Sequence, residues 1–207
     1  MGTKALIFGS CPCAGWSFLA PWRDWPDVVI AADGGLSLAR DAGFSPTVYI
    51  GDGDSGGRVE PELTCVTLPV EKDVTDLEAA YLWAKDYGAD QLVFTGCTGG
   101  RLDHHMAAMG LLETAAKAGC HGVILDAQNR VEFLLPGTHR LQNFGYRYFS
   151  LLPVDAWLRG LTIHEAKYPL EQTDVQRGSS LTVSNEFMDD PVELSFAGGC
   201  CYLIYSA

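Results

Sequence analysis

Val28-Val29-Ile30-Ala31-Ala32-Asp33-Gly34-Gly35 and, further on, Val48-Tyr49-Ile50-Gly51-Asp52-Gly53-Asp54-Ser55 are the stretches that decide the fold. Each is a short apolar run that stops abruptly in acid and glycine. A run of this length bounded by turn residues reads as a strand covered on both faces. Working outward, residues 5–8, 92–94 and 123–125 repeat the apolar run. Between them Leu77, Ala80, Tyr81, Ala84 and Tyr87 recur at helical spacing. A second helix is expected over 102–118, with Gly119 as its C-terminal stop. Strands alternating with helices predict an α/β domain, a mostly parallel sheet flanked by helices, over residues 1–129.

After Asn129 the helical period is lost. Residues 131–135, 146–152, 157–163, 181–184, 192–196 and 202–205 are strand-like, with turns expected at Pro136-Gly137 and Gly178-Ser179. Residues 130–207 therefore read as a small all-β sandwich or barrel. No linker rich in Gly, Ser or Pro separates the halves, and neither repeats nor low-complexity segments occur.

Composition narrows the partners. The 207 residues carry 26 acidic against 14 basic side chains, a formal net charge of −12. Such a chain repels phosphate backbones, which argues against nucleic acid as a partner. The first apolar run is too short for a secretion signal or a membrane span, so no membrane association and a cytoplasmic location are expected. The seven cysteines, an odd count with no secretion signal, read as free thiols. Neither Cys11-Pro12-Cys13 nor Cys200-Cys201 has the spacing of a common zinc knuckle.

The acids fall where ligands bind. In an open parallel sheet that place lies beyond the carboxyl ends of the strands. Asp33, Asp52 and Asp54 all follow apolar strands directly, among glycines that permit close backbone approach to a phosphate. Glu71-Lys72-Asp73-Val74-Thr75-Asp76 leads into the first helix. There Asp73 as N-cap with Asp76 at the third helical position is a simple capping alternative. A helix N-terminus also attracts phosphate, and Lys72 and Thr75 add donors. Thr98-Gly99-Gly100-Arg101-Leu102-Asp103-His104 precedes the second helix; it fits neither a Walker loop nor G-x-G-x-x-G. Capping accounts for Asp103, but not for Gly99, Gly100 and Arg101 together, which combine backbone donors with a phosphate clamp. His104 and His105 point about 100° apart on a helix and do not readily share a metal.

This ordered set of motifs resembles the thiamine pyrophosphokinases: Ala32-Asp33-Gly34-Gly35, Gly51-Asp52-Gly53-Asp54-Ser55, Lys72-Asp73-Val74-Thr75-Asp76 and Gly99-Gly100-Arg101-Leu102-Asp103-His104. Ser150-Leu151-Leu152-Pro153, Lys167-Tyr168-Pro169-Leu170 and Ser184-Asn185-Glu186 extend the likeness over nearly the whole chain. Departures are Gly53, where the family usually has Phe, Ala108, where it often has Asn, and a first loop, Gly9-Ser10-Cys11-Pro12-Cys13, with fewer glycines. The resemblance implies an α/β catalytic domain, a β-sandwich that binds thiamine, and a homodimer with active sites at the subunit interface. It implies ATP as donor, Mg2+ as cofactor, and thiamine diphosphate and AMP as products. The expected metal ligands are Asp52, Asp54 and Asp76, with Asp73 and Asp103 as further catalytic carboxylates. Asp33, Gly34, Gly35, Lys72, Thr75, Gly99, Gly100, Arg101 and His104 are expected around the nucleotide, and Asp76, Ser184 and Asn185 around thiamine. Two other readings differ in acceptor or in turnover: a pyrophosphokinase for another hydroxymethyl acceptor such as a pterin, and a non-catalytic thiamine or nucleotide binder.

Overall fold

The computed structural model describes residues 2–52, 63–69 and 73–207. Asp54 and Lys72 lie outside them, as does Gly53. Two compact units emerge, Met1–Ala127 and Gln128–Ala207.

In the first unit the strands are β1 (Thr3–Phe8), β2 (Val28–Ala32), β3 (Val48–Gly51), β4 (Thr64–Thr67), β5 (Ala89–Thr95) and β6 (His121–Leu125). They pair in the order β6-β5-β1-β2-β3-β4, every pair parallel. β2 is buried at every position, as an apolar run covered on both faces demands. Phe8, Val29, Val93 and Val123 pack with Leu19 and Phe44, and Trp16, Trp22 and Trp25 close the edge of that cluster. The helices are α1 (Gly35–Asp41), α2 (Asp76–Asp86) and α3 (Leu102–Lys117), with a 3-10 helix over Ser17–Trp22. Tyr81, Ala80 and Ala84 form the buried stripe of α2. α3 ends as expected: Gly119, at φ +79°, donates to the Ala116 carbonyl at 3.0 Å.

The start of α2 differs from the capping expectation. Thr75, not Asp73, is the N-cap: it has extended backbone and its side chain accepts from Glu78 N at 3.1 Å. Asp76 is the first helical residue, where a carboxylate faces the positive end of the helix dipole.

The second unit comprises β7 (Asn129–Leu134), β8 (Gly137–Leu141), β9 (Tyr148–Pro153), β10 (Trp157–Ile163), β11 (Leu170–Gln176), β12 (Asn185–Glu186), β13 (Val192–Phe196) and β14 (Cys201–Ser206). β12-β9-β14-β7 form one antiparallel run and β11-β10-β13-β8 a separate antiparallel sheet. Phe149, Leu151 and Leu203 from the first share one apolar cluster with Leu158, Leu161 and Leu194 from the second. Residues 181–184 are not the strand their composition suggests. Side chains add to a backbone bond there: Leu151 N donates to the Thr182 carbonyl at 3.0 Å, Thr182 Oγ1 donates to the Leu151 carbonyl at 2.5 Å, and Ser150 Oγ accepts from Ser184 N at 2.9 Å. Ser184 itself is left-handed, at φ +59°. Among the described residues no helix is long and apolar enough to cross a membrane.

Candidate functional site

The strand order fixes where the site lies. From β1 the sheet runs outward through β2, β3 and β4, and β5 then returns to the other side of β1. The order reverses between β1 and β5, and a crevice opens there beyond the carboxyl ends of the two strands. A cavity of about 240 Å³ occupies it. Gly9, Ser10 and Cys11 line it from the loop after β1, and Gly96, Cys97 and Gly99 from the loop after β5. Thr75 and Leu77 enter from the start of α2, and Arg101, His104, Ala107 and Ala108 from one face of α3. Two helix N-termini and two glycine-bearing loops thus converge on one cavity, which is the arrangement that binds a phosphorylated ligand.

The loop after β5 is held open by its own bonds. Gly99 and Gly100 sit at φ +80° and +61°, a pair that no β-branched residue would tolerate. Cys11 N donates to the Gly96 carbonyl at 2.7 Å, and the Cys11 thiol to the Thr98 carbonyl at 2.8 Å. Thr98 Oγ1 donates to Asp126 Oδ2 at 2.9 Å, and Gly99 N to His105 Nδ1 at 3.3 Å. His105 therefore serves the loop, whereas His104 faces the cavity. Burial pushes the Cys97 thiol up to about 12, helped by the nearby Asp126 charge, so it lines the cavity as a neutral group.

Among the described residues the expected carboxylates follow strand ends or stand at helix starts. Ala32 pairs with Ile50, and Asp33 N donates to the Ile50 carbonyl at 2.8 Å, so Asp33 and Asp52 leave adjacent strand ends. Gly34 caps α1, and Gly35 has a steric reason to be glycine: a Cβ there would stand 2.2 Å from the Phe8 carbonyl oxygen. Asp76 lies between the cavity-lining residues Thr75 and Leu77, and Asp73 is exposed ahead of the cap. Arg101 forms a two-pronged pair with Asp103, Nε to Oδ1 at 3.2 Å and Nη2 to Oδ2 at 2.6 Å. The Arg101 guanidinium and then the His104 backbone N–H hold the Asp103 carboxyl below the usual carboxylate range.

Among the described residues no three His, Cys, Asp or Glu side chains gather into a cage for a metal. Oxygen donors at the end of adjacent strands nevertheless suit Mg2+, which takes one or two carboxylates and completes its shell with substrate phosphates and water.

Ser184 and Asn185 belong to the second unit. Asn185 is buried, and its amide is engaged with the backbone of Tyr168. Sequence reasoning missed Cys11, Thr98, Asp126 and His105 as loop-holding residues. The position of Asp126 directly after the apolar run 123–125 was the available signal, the same one that marked Asp33 and Asp52.

Comparison with known proteins agrees with this geometry. Residues 20–124 match the family described as "Thiamin pyrophosphokinase, catalytic domain", and residues 138–201 match "Thiamin pyrophosphokinase, vitamin B1 binding domain". The chain is 32% identical to the thiamine pyrophosphokinase of Bacillus subtilis over 195 residues, 91% of either protein. The crystal structure of thiamine pyrophosphokinase from Bacillus subtilis has a TM-score of 0.90 at 30% identity, covering 99% of both chains. That of the thiamin pyrophosphokinase from Geobacillus thermodenitrificans gives 0.88 at 32%, covering 99% of this chain and 98% of its own. The chain belongs to the thiamine pyrophosphokinase family, and is an enzyme of that class.

Proposed function

We propose that this chain transfers the pyrophosphoryl group of ATP to the hydroxyl of thiamine, giving thiamine diphosphate and AMP, with the first unit holding the nucleotide and the second, a β-sandwich, holding thiamine. The observation that carries this reading is the cavity at the strand-order reversal, where two glycine-bearing loops meet the N-termini of α2 and α3.

The chemistry asks for positioning and charge neutralisation more than for covalent catalysis. The thiamine hydroxyl oxygen forms a bond to the β-phosphorus of ATP as the bond from that phosphorus to the bridging oxygen breaks, and AMP leaves with that oxygen. In this proposal Asp33, Gly34, Gly35, Thr75, Gly99, Gly100, His104 and Lys72 surround the nucleotide. Arg101 exchanges Asp103 for a phosphate oxygen, a swap its planar fork allows. Asp52, Asp54 and Asp76 hold Mg2+, which supplies neutralisation of charge on the phosphates. One of Asp52, Asp54, Asp76 and Asp103, or Asp73, accepts the hydroxyl proton. Ser184 and Asn185 form part of the thiamine side. A homodimer with shared active sites, in the cytoplasm, completes the proposal; an isologous pair creates two equivalent clefts.

Asp52→Asn and Asp54→Asn test the metal assignment: each should abolish transfer while the fold's stability is nearly unchanged. Near-normal turnover of both variants at limiting Mg2+ would contradict it. Mixing Asp54→Asn with Ser184→Ala/Asn185→Ala protein, under subunit exchange, should restore part of the activity if the sites are shared. Heterodimers confirmed by mass but without activity would contradict sharing.

A further inference from the structure

One peptide group beside the cavity, between Thr98 and Gly99, is gripped at both of its polar ends by side chains. The Cys11 thiol, from the loop after β1, donates to its carbonyl oxygen at 2.8 Å. Its N–H, on Gly99, donates to His105 Nδ1 at 3.3 Å, from the first turn of α3. In a trans peptide the C=O and N–H point away from each other, so the two grips come from opposite sides. A backbone N–H can only donate, so Nδ1 is the acceptor and the imidazole carries its proton on Nε2.

This peptide has good reason to be gripped. Turning it over changes ψ of Thr98 and φ of Gly99, and glycine adopts either sign of φ at little cost. Gly99 stands at φ +80° and Gly100 at +61°, so the local chain alone does not select one form. A flip would break the bonds to Cys11 and His105 together. The loop they hold also leads into the site: Gly99 and Arg101 line the cavity. Among the described residues the Gly100 and Arg101 N–H groups have no partner, and such N–H groups ahead of a helix suit an anion.

We propose that Cys11 and His105 are a pair of positioning residues that lock the Thr98–Gly99 peptide and so preorganise the loop that receives the phosphates of the donor. This inference rests on the reading of the cavity as the nucleotide site. A loop locked before binding leaves no conformation to select, whereas a loop that turns over binds in proportion to its competent fraction. His105 acts through Gly99 alone, since His104 and not His105 lines the cavity. The effect therefore belongs to the phosphates, and neither the base nor the acceptor should feel it.

The test is calorimetric titration with ATP and Mg2+, and with inorganic tripolyphosphate, together with steady-state kinetics. The proteins are wild type, His105→Ala, His105→Asn, His105→Gln, Cys11→Ala and the Cys11→Ala/His105→Ala double variant. His105→Ala should raise Kd for ATP and for tripolyphosphate, and KM for ATP, about 5-fold, with KM for thiamine and kcat unchanged. Asn sets its Oδ1 where His105 has Nδ1, and Gln reaches past that point. His105→Asn should therefore lie near wild type and His105→Gln should resemble His105→Ala. The double variant should depart from the product of the single effects by more than about 2-fold, because both bonds hold one peptide. Unchanged affinity for ATP and tripolyphosphate in His105→Ala, whatever its unfolding stability, would overturn the proposal. So would an effect on ATP that tripolyphosphate does not share, equal affinities of the Asn and Gln variants, or single effects that simply multiply. Wild-type protein that binds neither ATP nor tripolyphosphate would overturn the nucleotide reading of the cavity itself, and with it this inference.

Discussion

The Cys11 thiol donates to the Thr98 carbonyl at 2.8 Å, and so a side chain joins the loop after β1 to the loop after β5 across the crevice that the strand order creates. The bond lies beside the backbone link from Cys11 N to the Gly96 carbonyl, at 2.7 Å. Cys11→Ala removes the first link and leaves the second. One hydrogen bond is worth about 1 kcal/mol, so KM for ATP should rise about 5-fold with kcat little changed. Cys11→Ser keeps a donor and should lie near wild type. Equal kinetics for all three proteins would show that the thiol does not hold the loop.

Gly100 offers a sharper probe of the same loop. Its φ of +61° is costly for any residue with a Cβ, and a Cβ there would stand 3.2 Å from the Cys11 Sγ. Gly100→Ala should lower unfolding stability by about 1–2 kcal/mol in urea titration and raise KM for ATP. In Gly100→Ala combined with Cys11→Ala the steric part of that cost should disappear and the backbone part persist. Full stability in Gly100→Ala would contradict the left-handed conformation.

The cap of α2 separates two readings of one motif. Thr75→Ala should cost about 1 kcal/mol of stability through loss of the bond from Glu78 N, whereas Asp73→Ala should stay within about 0.5 kcal/mol. Thermal or urea unfolding reads both. The reverse order would restore Asp73 as the cap.

The Arg101–Asp103 pair has a pH signature. Arg101 holds the Asp103 carboxyl below its ordinary value, so the pair is fully formed above the ordinary carboxylate pKa of about 3.9 and is lost as pH falls through the lowered value. In Arg101→Gln the Asp103 carboxyl, followed by NMR, should titrate closer to its ordinary pKa. Triphosphate binding that draws Arg101 away should move it in the same direction. A titration of Asp103 that ignores both changes would contradict the pairing.

The parallel sheet was legible because its strands are apolar runs ending in acid and glycine, so one pattern gave both the strand and the ligand edge. Asp33 and Asp52 were found that way. α1 was not, since its seven residues, Gly35–Asp41, are too few to display a helical period. β4 was missed because Thr64–Thr67 is mostly exposed and carries no apolar run. β11 is similarly polar at Leu170–Gln176. Residues 181–184 carry β-branched side chains but form no strand; their bonds to β9 depend on a chain segment far away in sequence. The bonds that tie Asn185 to the Tyr168 backbone join positions 17 residues apart and have no local signature.

The central claim is transfer of an intact pyrophosphoryl group to thiamine, and product analysis tests it most directly. The protein is incubated with ATP, Mg2+ and thiamine, and the nucleotides and thiamine esters are separated and quantified. The account predicts AMP and thiamine diphosphate in equal amounts, with no thiamine monophosphate passing through as an intermediate. ADP with thiamine monophosphate, or AMP without any thiamine ester, would contradict it.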